Sequence, residues 1–252
     1  MSSQRRGSSL WLNCMLIALA AGVLGAAASR CIAQTGDSTP VAARTNATSQ
    51  TVYEVGDVYL PSSRVYVFVG KTGFGHEHGV VGQIKQGRIS LDAPRDAGGL
   101  VFDMASFAAD TPDARQFVGL QTPTDASTQQ QVNANMRGAA VLDVARFPTA
   151  SFSIKEIVKL PQASPRGGLQ YQFNGDFSLH GVSRPIQVIA EAEEQNGWTH
   201  LRGGFSMLQS QFGITPFTKA FGAVGVTDEL RVWGDLWIAK QRQVASRPTT
   251  TR

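Results

Sequence analysis

The chain has 252 residues, with 23 Lys and Arg against 19 Asp and Glu, a formal charge of +4, 42% hydrophobic residues and two cysteines. Arg5, Arg6 and Arg30 all lie in an N-terminal leader-like segment; without it 20 basic residues face 19 acidic ones, and the chain carries no basic stripe with interleaved aromatics, which excludes nucleic acid as the expected partner. Cys14 and Cys31 fall in the same segment, so the remainder has no disulfide, no thiolate nucleophile and no cysteine metal site.

That segment opens the chain. A basic start at Arg5 and Arg6 is followed by an uncharged run from Leu10 to Ser29, and Cys31-Ile32-Ala33 puts small residues at the −3 and −1 positions of a cut before Gln34. Residues 1–33 read as a cleaved secretory signal peptide, with an uncleaved membrane anchor as the alternative, because the uncharged run approaches the length of a bilayer span. The expected location is the periplasm or the exterior. Residues 34–51, rich in Thr, Ser, Ala and Gln with no apolar period, read as a flexible linker.

Strand-type sequence begins near Tyr53 and strengthens in Arg64-Val65-Tyr66-Val67-Phe68-Val69, which is apolar on both faces. Gly70-Lys71-Thr72 follows, but Val65 stands where a phosphate loop needs its first glycine, so Gly70, Gly73, Gly75 and Gly79 are read as permitting a bend or bulge at a barrel corner. Residues 80–91 and 100–107 read as two further strands separated by the turn-forming residues 92–99. The period then changes. Thr111, Pro112 and Asp113 supply an N-cap, a first-turn proline and an early acid for a short helix to about Leu120. Thr124-Asp125 opens a second helix, with Val132 and Met136 on one face and Gly138 as its C-cap.

Strands resume at residues 150–158, with Phe152 and Ile154 inward. From Leu169 to Leu179 every odd position is apolar or Gly and every even position is polar, the period of a strand with one dry face. The chain turns through Gly181-Val182-Ser183-Arg184-Pro185 and returns with Ile186, Val188, Ala190 and Ala192 on one face. Residues 198–207 place Leu201, Phe205 and Met207 inward. Residues 226–239 put Leu230, Val232, Leu236 and Ile238 on one face and Trp233 and Trp237 on the other. Residues 241–252 read as a disordered tail. About eight antiparallel strands at meander spacing, with helices inserted in one place, imply an all-β barrel or sandwich over residues 52–240. An eight-stranded barrel either fills its interior or holds one small ligand.

Three motifs carry a family resemblance. Leu142-Asp143-Val144-Ala145-Arg146-Phe147-Pro148-Thr149-Ala150-Ser151-Phe152 is the first, and Gly175-Asp176-Phe177-Ser178-Leu179-His180-Gly181-Val182-Ser183-Arg184-Pro185 is the most specific. The third is Phe212-Gly213-Ile214 followed by Val226-Thr227-Asp228-Glu229-Leu230. Together they resemble the YceI-like proteins, exported bacterial proteins with a lipocalin-like barrel that are associated with isoprenoid or other long-chain lipids. The likeness runs from about Val52 to Lys240. It departs in the loop from Gly73 to Gly79, in residues 121–135 and at Leu208-Gln209-Ser210-Gln211, where the family more often carries Arg.

The resemblance implies an antiparallel lipocalin-like barrel with a short helical insertion and a hydrophobic interior that binds a long-chain amphiphile. The expected ligand-binding residues are Phe152, Ile154, Phe173, Phe177, Leu179, Ile186, Val188, Phe205, Phe212, Leu230 and Val232. Each methylene buried there contributes about 0.8 kcal/mol, so a tail binds without a charged contact. No cofactor is expected beyond a bound lipid or isoprenoid. Contact with a membrane surface and a homodimer are left open.

The polar residues carry less. His180 is expected to fix its turn through a hydrogen bond, and Arg184 to pair with Asp143 or Asp176 at the barrel end. Trp233 and Trp237 are expected under the inserted helices. His76 and His78 are two apart and lack a visible third ligand, so the loop is read as solvated and no metal ligands are assigned. There is no G-x-S-x-G and no carboxylate pair of identifiable spacing, and the histidines sit mostly at turns, so a binding protein is expected rather than an enzyme. The alternatives are a metal-dependent enzyme or a metal or haem binder using His76 and His78, and an envelope stress or interaction protein whose lipid is only structural.

Overall fold

The structure, a computed structural model, describes residues 51–244. The signal-peptide reading of residues 1–33, both cysteines, all of the linker but Thr51, and residues 245–252 lie outside them. The elements in chain order are β1 (Val52–Tyr53), β2 (Arg64–Gly73), β3 (His78–Ile89), β4 (Gly98–Ala109), α1 (Pro112–Phe117), α2 (Ala126–Arg137), β5 (Thr149–Lys159), β6 (Leu169–Leu179), β7 (Val182–Gln195), β8 (Trp198–Leu208), β9 (Thr218–Lys219), β10 (Val224–Ala239) and β11 (Gln243–Val244). Short 3-10 turns fall at Gln209–Phe212 and Ala220–Gly222.

Strands β2 to β8 pair consecutively, β8 pairs with β10, and β10 pairs with β2 to close the sheet. Each pairing is antiparallel, so eight long strands form an up-and-down barrel with no open edge between the first and the last. The closed barrel with a short helical insertion matches the expected fold. The strands were located to within a few residues. β2 runs through Gly70 and Lys71 to Gly73, and the bend read from the glycines falls at Gly73, whose φ is 56°. Gln243 and Val244, read as part of the tail, instead pair with Tyr53 and Val52.

The period-2 alternation of residues 169–179 appears directly as β6, where Phe173, Gly175, Phe177 and Leu179 are buried. Its turn is shorter than the expected Gly181–Pro185, since Val182 to Pro185 already belong to β7: it has two residues, His180 (φ 52°) and Gly181 (φ 77°). Both are left-handed, as a type I′ hairpin requires to match the twist of its strands.

The helices start as the sequence indicates. Thr111 Oγ1 accepts from the Ala114 N–H, Pro112 begins α1, and Asp125 accepts from the Thr128 N–H at the start of α2. α1 ends earlier than expected, because Gly119 turns the chain at φ 84°. Gly138 does follow α2, but in an extended conformation rather than a left-handed one.

Among the described residues two apolar clusters form. The larger fills the inner face of the barrel and runs on to Val58 and Phe212. The smaller lies on the outer wall of β8 and β10 and comprises Tyr59, Trp198, Trp237 and Ala239, with Tyr53 against it. Trp233 meets Phe117 of α1 edge-on, as expected of a residue under the insertion. Trp237 does not: it packs beneath the segment preceding β2, with His200 stacked on it at 4.1 Å.

Candidate functional site

The up-and-down order sorts the connections to two ends. The β2–β3 loop, both helices, the His180-Gly181 turn and the segment between β8 and β10 lie at one end; the β3–β4, β5–β6 and β7–β8 connections lie at the other. At this second end Val58 packs against the core and its N–H bonds the Gly87 carbonyl at 3.1 Å. The first end carries the insertions and is the mouth.

Between the ends the barrel is hollow. A cavity of about 310 Å³ is walled by inward residues of the eight long strands, with Val132 and Met136 of α2 and Val141 and Leu142 after it. Its lining is almost wholly apolar, with polar side chains at the mouth: His76, His78, Asn135 and Gln209. Ten of the eleven expected residues line it, namely Phe152, Ile154, Phe173, Phe177, Leu179, Ile186, Val188, Phe205, Leu230 and Val232. Phe212 does not. It is 1% exposed and sits one layer out, its ring 5.6 Å from that of Phe177.

Sequence reasoning missed the far wall. Val65, Val67, Val69, Val80, Ile89, Leu100 and Phe102 also face the cavity. The alternation Val65, Val67, Val69 is a usable signal, hidden because Tyr66 and Phe68 make the outer face apolar too. Those outer rings have covers of their own: Tyr66 stacks on Phe117 at 3.7 Å, and the Arg231 guanidinium lies over Phe68 at 4.5 Å. Two glycines, Gly203 on β8 and Gly234 on β10, face each other and both border the cavity. At Gly234 an added Cβ would meet nothing closer than the Leu236 side chain at 3.6 Å, so this stretch of wall has room to spare.

The mouth is held by α1 and α2. Asn133, buried on α2, accepts the Ala109 N–H at 2.8 Å and donates to the Ala109 and Gln129 carbonyls. This ties the helix to the end of β4. Gly79 brings β3 against α1: an added Cβ would lie 2.7 Å from the Ala114 carbonyl oxygen. Asp110, with a fully buried side chain, is the polar centre. It accepts from Arg115 at 2.8 Å and from the Gly79 N–H at 3.2 Å through Oδ1, and meets His78 Nδ1 at 2.7 Å through Oδ2. Burial alone would raise the Asp110 pKa, but hydrogen bonds and charge from His78, Arg115 and Gly79 outweigh it and hold the carboxyl below its usual range. His76 stands 4.5 Å from His78 ring to ring, and shielding of part of its ring, then the neighbouring His78, holds its pKa below the ordinary value.

Several expectations are corrected here. The His76–His78 loop is solvated only in part: His76 is exposed, whereas His78 is buried against Asp110. The His180 ring packs on Phe147 at 4.4 Å, so ring packing and backbone conformation, rather than the expected hydrogen bond, define its place in the turn. Arg184 pairs with neither carboxylate; its Nε donates to the Gln211 carbonyl at 3.2 Å. Asp143 takes Arg146, and Asp176 takes Lys155 at 2.6 Å.

Two loop tips beside the mouth are apolar and bare. Phe74 is 92% exposed, and Phe221 is fully exposed in a turn where Ala220, Phe221 and Gly222 all have positive φ. The Phe74 N–H bonds the Ala223 carbonyl at 2.9 Å, which joins the two tips.

The YceI-like domain model matches residues 57–236, well over half of the chain. A UPF0312 protein of Vibrio cholerae is 29% identical over 144 residues, covering 54% of this chain and 69% of that protein. One from Shewanella denitrificans is 30% identical over 118 residues, covering 46% of this chain and 56% of its own length. Among solved structures, Burkholderia cenocepacia BcnA is similar with a TM-score of 0.49 at 17% identity, covering 73% of this chain and 100% of that one. A polyisoprenoid-binding domain from Saccharophagus degradans has a TM-score of 0.46 at 12% identity, covering 74% and 99%.

Proposed function

Because the chain belongs to the YceI-like family, we propose that it holds one long-chain amphiphile, of isoprenoid type, with the tail inside the barrel and the polar end at the mouth. The observation that carries this is the hollow apolar interior. Polar partners for water are confined to the mouth, and an apolar cavity without them stays dry, so its walls gain dispersion contacts only from an apolar guest. With about 0.8 kcal/mol per buried methylene, ten carbons supply a gross gain of about 8 kcal/mol before the costs of association. The protein acts as an exported binding protein in the bacterial envelope, where such a tail must be shielded from water.

Loading is assigned to the mouth tips. Phe74 and Phe221 offer apolar anchors, and Lys71 and Lys219, exposed nearby on β2 and β9, have no ion pair among the described residues. Exposed aromatics flanked by cations suit an anionic lipid surface. Trp237 is buried and Trp233 packs edge-on against Phe117, so neither indole competes with the tips for that contact.

Native mass spectrometry of the purified protein tests the reading. A co-purifying lipid, or uptake of an added polyprenyl lipid at one per chain, is expected. Empty spectra together with no uptake would overturn it.

A further inference from the structure

At the mouth, the side chains of His76, His78 and Asp110 each bring a potential ligand atom within 4.8 Å of the others. Their placement follows from the fold. His76 lies in the β2–β3 loop, His78 begins β3, and Asp110 directly follows β4, the neighbour of β3 in the sheet. Asp110 has a left-handed backbone, φ 59°, and its N–H bonds the Gly79 carbonyl at 2.6 Å. An aspartate tolerates that conformation better than most residues.

The two carboxylate oxygens have different surroundings. Oδ1 is held by Arg115 and the Gly79 N–H, while Oδ2 faces His78 Nδ1 at 2.7 Å. This is the division between an oxygen fixed by outer partners and an oxygen available to a metal. Two ligand atoms at about 2.1 Å from a tetrahedral zinc ion lie about 3.4 Å apart. The 2.7 Å contact therefore opens by about 0.7 Å when both atoms reach one such ion. For a cation to bind there, the proton on this contact passes to solvent, which frees His78 Nδ1 and Asp110 Oδ2 as ligand atoms.

We propose that His76, His78 and Asp110 form a binding site for a divalent first-row transition metal such as Zn²⁺. The donor set, two imidazoles and one carboxylate, is selective by chemistry. Imidazole suits zinc, copper, nickel and iron, whereas calcium and magnesium require oxygen ligands throughout. Arg115 offsets the Asp110 charge, so the site does not attract hard cations by charge alone. Three protein ligands leave one or more positions free, and both histidines border the cavity. The open side thus lies at the mouth, where an oxygen of a bound amphiphile or a water completes the shell. The remaining described histidines are engaged elsewhere: His180 packs on Phe147, and His200 stacks on Trp237 and bonds Asp235.

The test is calorimetric titration of the chelator-treated full-length protein with Zn²⁺, then with Co²⁺ followed by visible absorption. It does not depend on the lipid reading, since metal uptake and lipid content are measured separately. One Zn²⁺ per chain is expected, with no uptake of Mg²⁺. His76→Ala, at an exposed position, should fold normally and lose affinity at least about tenfold, the loss that removing even an outer-shell partner brings. His180→Ala should bind as the parent does. Asp110→Asn should change the Co²⁺ spectrum; if it does not fold, the His76→Ala comparison still decides. Uptake well below one Zn²⁺ per chain, or unchanged affinity in His76→Ala, would overturn the proposal.

Discussion

Gly234→Leu probes the cavity without touching its supports. Gly234 lies between Val232 and Leu236 on the inner face of β10, and its φ carries no positive-angle constraint. A Cβ built there is in ordinary contact with Leu236 and meets no backbone. The new side chain therefore extends into free volume rather than into packed neighbours. It replaces roughly three methylenes of guest, at about 0.8 kcal/mol each, so lipid binding should weaken by about 2–3 kcal/mol, roughly fifty-fold. Stability should not fall, because glycine within a strand costs about 0.5–1 kcal/mol relative to alanine. Displacement of a fluorescent long-chain probe gives the affinity, and urea unfolding gives the stability. A Gly234→Leu protein that keeps its melting point and binds the probe as tightly as the parent refutes a tail running past this wall. Gly203→Leu is not equivalent, since an added Cβ there sits 2.4 Å from the Ile189 carbonyl oxygen and should destabilise the barrel itself.

Ser63→Ala removes the buried hydroxyl that accepts the Trp237 N–H at 2.9 Å, and should cost about 1–3 kcal/mol in denaturant unfolding by orphaning that donor. Asp228 accepts the Ser210 hydroxyl and N–H, which hold its pKa below the ordinary value. A lowered folded pKa gives stability that is present above the unfolded value of about 3.9 and lost as pH falls through the folded one, so Asp228→Asn should flatten the acid limb of melting temperature against pH. Replacing Phe74 and Phe221 together by Ser should weaken binding to anionic vesicles, read by co-sedimentation, while the amount of lipid held per chain stays the same. Equal vesicle binding by the double variant would remove the tips from the loading step.

The barrel was legible where one face is wet. β6 alternates because its outer side chains, among them Gln170, Gln172 and Ser178, face away from the core, and the ten expected residues that line the cavity come mainly from such strands. β2 obscured its inner face because α1 and Arg231 cover its outer one, and a strand apolar on both sides has no visible period. Phe212 was misplaced because it lies in a 3-10 turn, where strand alternation does not say which way a ring faces. The polar mouth was the least legible. Asp110 comes 32 residues after His78, and no spacing rule links them; only the pairing of β3 with β4 does. Arg184 was assigned to a carboxylate by charge, yet the Gln211 carbonyl is nearer because the turn at Gln209–Phe212 folds back over β7.

The closing role of β10 has a kinetic consequence. Both β2 and β8 remain bare edges until β10 lies between them, so the first long strand waits for the last. Ser63 and Trp237, joined by one hydrogen bond, are 174 residues apart. A chain with so much of its ordering deferred to contacts between distant segments folds slowly, since the entropy of loop closure is lost before those contacts form. During synthesis the ribosome would release nearly the whole sequence before a cooperative barrel could assemble. In that interval its unpaired strand edges stay open to pairing with other chains.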